Sequence, residues 1–201
     1  MASWLFAQIH GFMAEREPTA IKEARGKLFD GLAGEVLEVG AGTGVNFKHY
    51  PEGVSLTASD YSPHMMKKLE QPARDASIPI TLRQADAQKL PFETDSFDHA
   101  LVTLVFCSVP DPQAGFAELE RVVRPGGTVR LLEHVQSTSP RTSNLQRWIT
   151  PVWKHIGDGC HLTRDTVATV EASGLAIDDV REIAGAPRLF PIRVIRAHVP
   201  A

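Results

Sequence analysis

The residues whose types and spacing most directly imply chemistry are Glu38-Val39-Gly40-Ala41-Gly42-Thr43-Gly44, an acid followed by three glycines spaced two apart. Lacking side chains, Gly40, Gly42 and Gly44 let a ligand approach the backbone closely. Asp60 follows Glu38 by 22 residues, the spacing at which a carboxylate at a strand end accepts hydrogen bonds from ribose hydroxyls. Asp86 suits an exocyclic adenine amine, Ala87 offers a backbone N–H to a ring nitrogen, and Leu90, Pro91 and Phe92 supply an apolar wall for a base. Together these residues point to recognition of an adenosine-containing ligand. The GxGxG spacing differs from the GxGxxG of dinucleotide sites, which disfavours a nicotinamide cofactor without removing it.

A second group could move protons. His134 lies at the end of an apolar stretch, and His155, Asp158 and His161 lie in a long polar-aromatic segment with Trp148, Trp153 and Cys160. Histidine titrates near neutrality and is the usual general base, so His134, Asp158 and His161 are the catalytic candidates, with His155 behind them. Cys107 and Cys160 show no compact zinc-type spacing with the histidines, so no metal is expected.

The elements that must position these groups alternate. Val36 to Val39 reads as a central strand. Val54 to Ser59, Ile78 to Gln84, Phe97 to Phe106 and Thr128 to Val135 read as further strands, and Leu175 to Ile183 and Ile192 to Val199 as a closing pair. Helices are expected over Thr19 to Phe29, over Pro63 to Arg74 with Ser62 as N-cap, over Ala114 to Val123, and from a Thr163 cap to Ser173. Such alternation implies right-handed crossovers and a doubly wound, Rossmann-like, mostly parallel α/β sheet with a C-terminal antiparallel strand pair. Ligands then bind beyond the carboxyl ends of the strands, where Glu38 to Gly44, Asp60, Asp86 and Thr103 to Ser108 all fall. Gln136 to His161 carries no strand signal and is expected to be a substrate lid. Trp4, Leu5, Ile9, Phe12 and Met13 mark an amphipathic N-terminal helix, read as packing, a flap or a weak peripheral membrane contact.

The whole, 1–201, fits one domain, with N-terminal helices over 1–30 and the lid over 136–161. A formal charge of -3 gives no general attraction to nucleic acid or anionic lipid. Two cysteines are too few for a disulfide scaffold and suggest a reducing, cytoplasmic setting.

Glu38 to Gly44, Asp60, Asp86-Ala87-Gln88-Lys89-Leu90-Pro91-Phe92, Ser96-Phe97-Asp98 and Arg124-Pro125-Gly126-Gly127, in this order, resemble the class I S-adenosylmethionine (AdoMet) methyltransferases. The resemblance implies that the glycine loop receives the methionine part of AdoMet, Asp60 the ribose, and Asp86 with Ala87 the adenine. Asn46, Tyr61 and Thr103 complete the implied cofactor set. Gly44 to Pro51, Thr103 to Val109, Glu133-His134-Val135 and Asp158 to Arg164 further resemble a branch that includes vertebrate alkyl-thiol methyltransferases, whose long hydrophobic front segment has no counterpart here. That branch implies methyl transfer to a small-molecule acceptor, plausibly a thiol. Phospholipid amines, quinone carbons, natural-product oxygens and a catalytically silent AdoMet-binding module are the alternatives.

Overall fold

The computed structural model describes residues 17–157 and 159–201. Seven strands form one sheet: β1 (Gly34–Val39), β2 (Val54–Asp60), β3 (Ile80–Gln84), β4 (Phe97–Thr103), β5 (Val123–His134), β6 (Ala176–Glu182) and β7 (Ile192–His198). Their order is β3-β2-β1-β4-β5-β7-β6. Strands β1 to β5 pair in parallel, and β7 inserts antiparallel between β5 and β6. The helices are α1 (Thr19–Gly26), α2 (Pro63–Asp75), α3 (Pro112–Val122), α4 (Pro140–Ile156) and α5 (Thr166–Glu171).

Alternation along the central strands fills two cores. Leu37, Val39, Ala100, Val102, Val129 and Leu131 join α3's Phe116, Leu119 and Val122 in one. Val36, Leu56, Ala58, Leu101 and Leu132 join Leu28, Phe29 and Leu69 in the other. A strand buried on both faces must be apolar at nearly every position, and that is why Val36-Leu37 and Ala100-Leu101-Val102 read so clearly.

The family-like stretches at 96–98 and 124–127 lie at the amino edge of the sheet, away from the glycine loop. Asp98 accepts the Glu35 N–H and pairs with Arg124, whose guanidinium also donates to the carbonyls of Asp95 and Ser96. A Cβ on Gly34 would stand 2.3 Å from Asp98 Oδ2, and one on Gly127 2.6 Å from the Asp98 carbonyl. These glycines permit the close strand contacts that fix register.

Several expected boundaries move: the first helix ends at Gly26, β3 starts at Ile80, α3 spans Pro112–Val122 and β5 already begins at Val123, and three further differences have a visible cause. β4 ends at Thr103 instead of Phe106, because Leu104 adopts φ +59° and turns the chain out of the sheet. Asp165, not Thr163, caps α5 by accepting the Ala168 N–H. The segment expected to be a lid without regular structure contains the 17-residue helix α4. Its Gln146 is wholly buried, accepts from Ser137 N and donates to the carbonyls of Val135 and Leu189, which pins α4 to the exit of β5. Ser62 caps α2 as expected, accepting from Met65 N with Pro63 at the first helical position.

Phe116 of α3 is fully buried and stacks on Phe106 at 4.1 Å between ring centroids. Phe116→Ala should lower the free energy of unfolding by about 3–5 kcal/mol, read by urea denaturation, and a loss below about 1 kcal/mol would show that the loop carrying Phe106 closes over the gap.

Candidate functional site

Glycines 40, 42 and 44 all have positive φ, +72°, +61° and +77°. A Cβ on Gly40 would lie 2.3 Å from Val105 Cγ2, so the loop lies directly against the chain leaving β4. Beneath it, the wholly buried Glu38 accepts from Asn46 Nδ2 at 2.6 Å and from the Tyr50 hydroxyl at 2.9 Å. Asn46 also donates to Thr103 Oγ1 and accepts from Arg25, which is itself paired with Glu17. Burial pushes the Glu38 carboxyl up to about 7 against these hydrogen bonds. Glu38 and Asn46 therefore act here as struts of the loop.

Asp60 closes the loop from the other side. Its Oδ2 accepts from Gly42 N at 3.0 Å and its Oδ1 from Ser62 N at 2.8 Å. These two bonds orient Asp60 against the loop. Asp86, past β3, accepts from the backbone and side chain of Gln88, and Ala87 beside it is buried. Tyr61 is 57% exposed at the same edge. Thr43 Oγ1 is buried with no hydrogen-bond partner among the described residues, the kind of orphaned group that a bound ligand satisfies.

On the other side of the glycine loop, Glu133 is wholly buried and its carboxylate accepts three successive backbone N–H groups, from Val105, Phe106 and Cys107, at 2.7, 3.0 and 3.3 Å. Burial raises its pKa to about 7 even so. The chain returning from α4 lies along this loop, with His161 N donating to the Cys107 carbonyl at 2.8 Å and Arg164 donating to the Val109 carbonyl. The return brings Cys160 Sγ to 3.8 Å from His134 Nδ1, and the ligand-type atoms of Cys107, His134 and Cys160 all lie within 4.8 Å of one another. Trp153 and Phe190, 4.7 Å apart between ring centroids, wall this cluster with Leu162. Cys160 is the more acidic thiol, lowered to about 5 chiefly by the neighbouring Cys107 thiol, with His134 assisting. Cys107 is correspondingly raised.

Of the catalytic candidates, His134 stands in this cluster. His161 lies beside it, its pKa lowered by partial burial and then by Arg164. Asp158 and the N-terminal helix lie outside the described residues. His155 is not part of the cluster: its Nδ1 lies 2.9 Å from the Pro151 carbonyl on its own helix, and it is exposed. The sequence spacing of Cys107, His134 and Cys160 concealed their convergence, because they come from three separate segments. Glu133 and Tyr50 fall within family-like stretches that give them no role, and Arg25 lies outside every motif.

The chain matches the family described as "Methyltransferase domain" over residues 37–131. The thiol S-methyltransferase TMT1B of Rattus norvegicus is 37% identical over 158 residues, covering 70% of this chain and 60% of its own. A phosphatidylethanolamine N-methyltransferase of Cereibacter sphaeroides is 35% identical over 103 residues, covering 50% and 51%. The fold is shared with geranyl diphosphate methyltransferase solved with its methyl donor, at a TM-score of 0.75 and 15% identity, over 98% of this chain and 91% of that one. This chain thus spans 60% of the length of the thiol methyltransferases it matches first.

Because the carboxyl of Glu38 ionises near 7 in the fold and near 4.5 when unfolded, the native state holds the proton longer between those values. Its contribution to stability is then fully present below about pH 4.5, falls as pH rises to 7 and is flat above. The full shift corresponds to a decline on the order of 3 kcal/mol. Glu38→Gln should flatten that part of the pH dependence of unfolding measured in urea on the ligand-free protein, and an unchanged slope would show that Glu38 is already ionised in the fold.

Proposed function

The chain belongs to the class I AdoMet-dependent methyltransferases, and from that premise we propose that it transfers a methyl group from AdoMet to a small-molecule thiol. The observation that carries the reading is the junction at Gly40 and Val105. There a loop shaped for an adenosyl ligand touches a loop that leads into a thiol- and imidazole-lined cluster. Identity to thiol methyltransferases over 158 residues, well beyond the 37–131 stretch, supports the same acceptor class.

Bound AdoMet supplies an electrophilic methyl group. The residues of this chain fit that ligand: the side-chain-free loop admits the methionine part, Thr43 Oγ1 is a buried hydroxyl without a partner among the described residues, the Asp60 carboxylate is oriented at the loop for the ribose, and Asp86 with Ala87 would meet the adenine edge. What the protein must add is placement of the acceptor on the axis of displacement and exclusion of water. Trp153 and Phe190 provide an apolar wall for this. A free thiol with a pKa near 8.5 is mostly protonated at neutrality, so deprotonation is assisted from the acceptor side, where His134, Cys107 and Cys160 converge.

The outward face of α4 favours an apolar acceptor over a polar metabolite. Leu145, Trp148, Val152 and Ile156 succeed one another along the helix and are all exposed, Trp148 by 84%. This spacing makes one apolar stripe. Among the described residues no helix is long and apolar enough to cross a membrane.

Release of S-adenosylhomocysteine should be observed with alkyl thiols and be weak or absent with matched alcohols, amines and phosphatidylethanolamine in the same panel. Preference for the amine or the lipid would replace the acceptor assignment while keeping the transfer reaction. Asp60→Ala should weaken AdoMet binding by about 1–3 kcal/mol in calorimetry, and unchanged affinity would remove the ribose assignment. Trp153→Ala should raise the KM for the thiol several-fold with little change in AdoMet affinity, whereas the opposite pattern would make Trp153 part of the cofactor site.

A further inference from the structure

We propose that Cys107, His134 and Cys160 are the protein ligands of a zinc-type divalent cation, and that its fourth position takes the sulfur of the acceptor thiol. The metal site stands on geometry alone, whereas its use by the acceptor rests on the thiol methyltransferase reading above.

Three donors of the types zinc prefers are brought together from three segments: the loop after β4, the end of β5 and the return from α4. Their ligand atoms lie within 4.8 Å of one another, with Cys160 Sγ and His134 Nδ1 at 3.8 Å. Zinc binds thiolate sulfur at about 2.3 Å and imidazole nitrogen at about 2.0 Å in a tetrahedron. That geometry separates neighbouring ligand atoms by about 3.5–3.8 Å, so shifts of an ångström or less would let all three coordinate. The cluster is also buried, Cys107 to 2% and Cys160 to 6% exposure. Two thiolates there would be costly without a counter-charge. A divalent cation with two thiolates and a neutral imidazole is electrically neutral, which suits the apolar wall of Leu162, Ile149, Trp153 and Phe190.

The surroundings hold the ligands as metal sites require. Glu133 fixes the Cys107 N–H, the Cys107 carbonyl accepts from His161 N, and Cys160 N donates to the Gly157 carbonyl. A plain disulfide between Cys107 and Cys160 accounts less well for the arrangement, since it would give His134 no part and needs an oxidant. Three protein ligands and one exchangeable position are the arrangement of catalytic zinc. The indole N–H of Trp153 is buried without a hydrogen-bond partner among the described residues.

In the transfer itself, the acceptor thiol gives up its proton to solvent on coordination, since a metal-bound thiol is deprotonated outright. Its sulfur lone pair then forms the new bond to the methyl carbon, and the sulfonium carbon–sulfur bond breaks with its electron pair passing to the departing S-adenosylhomocysteine. The thioether product, a weaker ligand than a thiolate, leaves the metal. No oxidant or reductant is involved.

The test begins with the full-length chain, purified under reducing conditions, loaded with zinc chloride, dialysed against metal-free buffer and analysed by atomic emission. About one zinc per chain should remain. Cys107→Ser, Cys160→Ser and His134→Ala should each lower retained zinc by about tenfold or more, while Asp60→Ala should retain it. AdoMet affinity and thermal melting report whether each variant is folded, and the half-buried His134 gives the variant least dependent on core packing. With cobalt in place of zinc, a thiolate-to-metal charge-transfer band should appear and should change on adding 2-mercaptoethanol but not ethylene glycol. A wild-type chain that retains no zinc, equal zinc in folded variants, or recovery of a Cys107–Cys160 disulfide as the resting state would overturn the metal site. A cobalt spectrum indifferent to 2-mercaptoethanol would overturn the acceptor role of the fourth position. Zinc and AdoMet both bound, with no acceptor turned over, would instead defeat the methyltransferase reading and leave the metal site standing.

Discussion

The upper edge of this protein depends on one buried carboxylate. Glu133 gathers the N–H groups of Val105, Phe106 and Cys107 at the point where Leu104, with its positive φ, has just turned the chain out of the sheet. Three donors converging on one anion recover much of the cost of burying it. From that cradle the rest follows in space: Val105 seats the glycine loop, Phe106 stacks on α3, and the Cys107 carbonyl receives the chain returning from α4. A ligand loop, a core helix and an acceptor-side cluster are thereby referenced to the same few backbone atoms.

Glu38 is the counterpart on the other side of β4. It too is wholly buried and held by neighbouring donors, Asn46 and Tyr50, and it too is pushed toward neutrality by burial. Neither carboxylate is an exposed ligand group. Both convert polar side-chain chemistry into loop position, which is what displacement catalysis by placement requires. Asp60 differs, since it lies half-buried at the end of β2, where its bonds to Gly42 N and Ser62 N orient it at the edge of the loop.

The division of labour within the chain follows the sheet. The chain shares its fold with a geranyl diphosphate methyltransferase and is similar over 103 residues to a phosphatidylethanolamine N-methyltransferase, proteins that act on very different acceptors. A shared fold therefore leaves the acceptor open. The proposed acceptor side is built by the loop after β4 and by α4, which Gln146 anchors to β5. The exposed apolar stripe on α4 and the aromatic wall of Trp153 and Phe190 belong to that side.

The sequence by itself determined the doubly wound sheet, its closing antiparallel pair and the gathering of the glycine loop, Asp60 and Asp86 at one edge. Those features are written in local signals: apolar runs such as Ala100 to Val102, the Ser62-Pro63 cap, and a run of glycines at positive φ, a conformation most side chains disfavour. The end of β4 was misread, since Leu104 to Phe106 are as apolar as the strand before them and only the turn at Leu104 removes them from it. The helix within 136–161 was missed because buried Ser143, Gln146 and Thr150 interrupt its inward face while Leu145, Trp148, Val152 and Ile156 lie exposed on the outward one, which blurs the helical pattern. The convergence of Cys107, His134 and Cys160 was decided by tertiary structure alone. Residues 27 and 26 positions apart meet only after a parallel crossover and a returning helix have closed, and no local spacing encodes that distance.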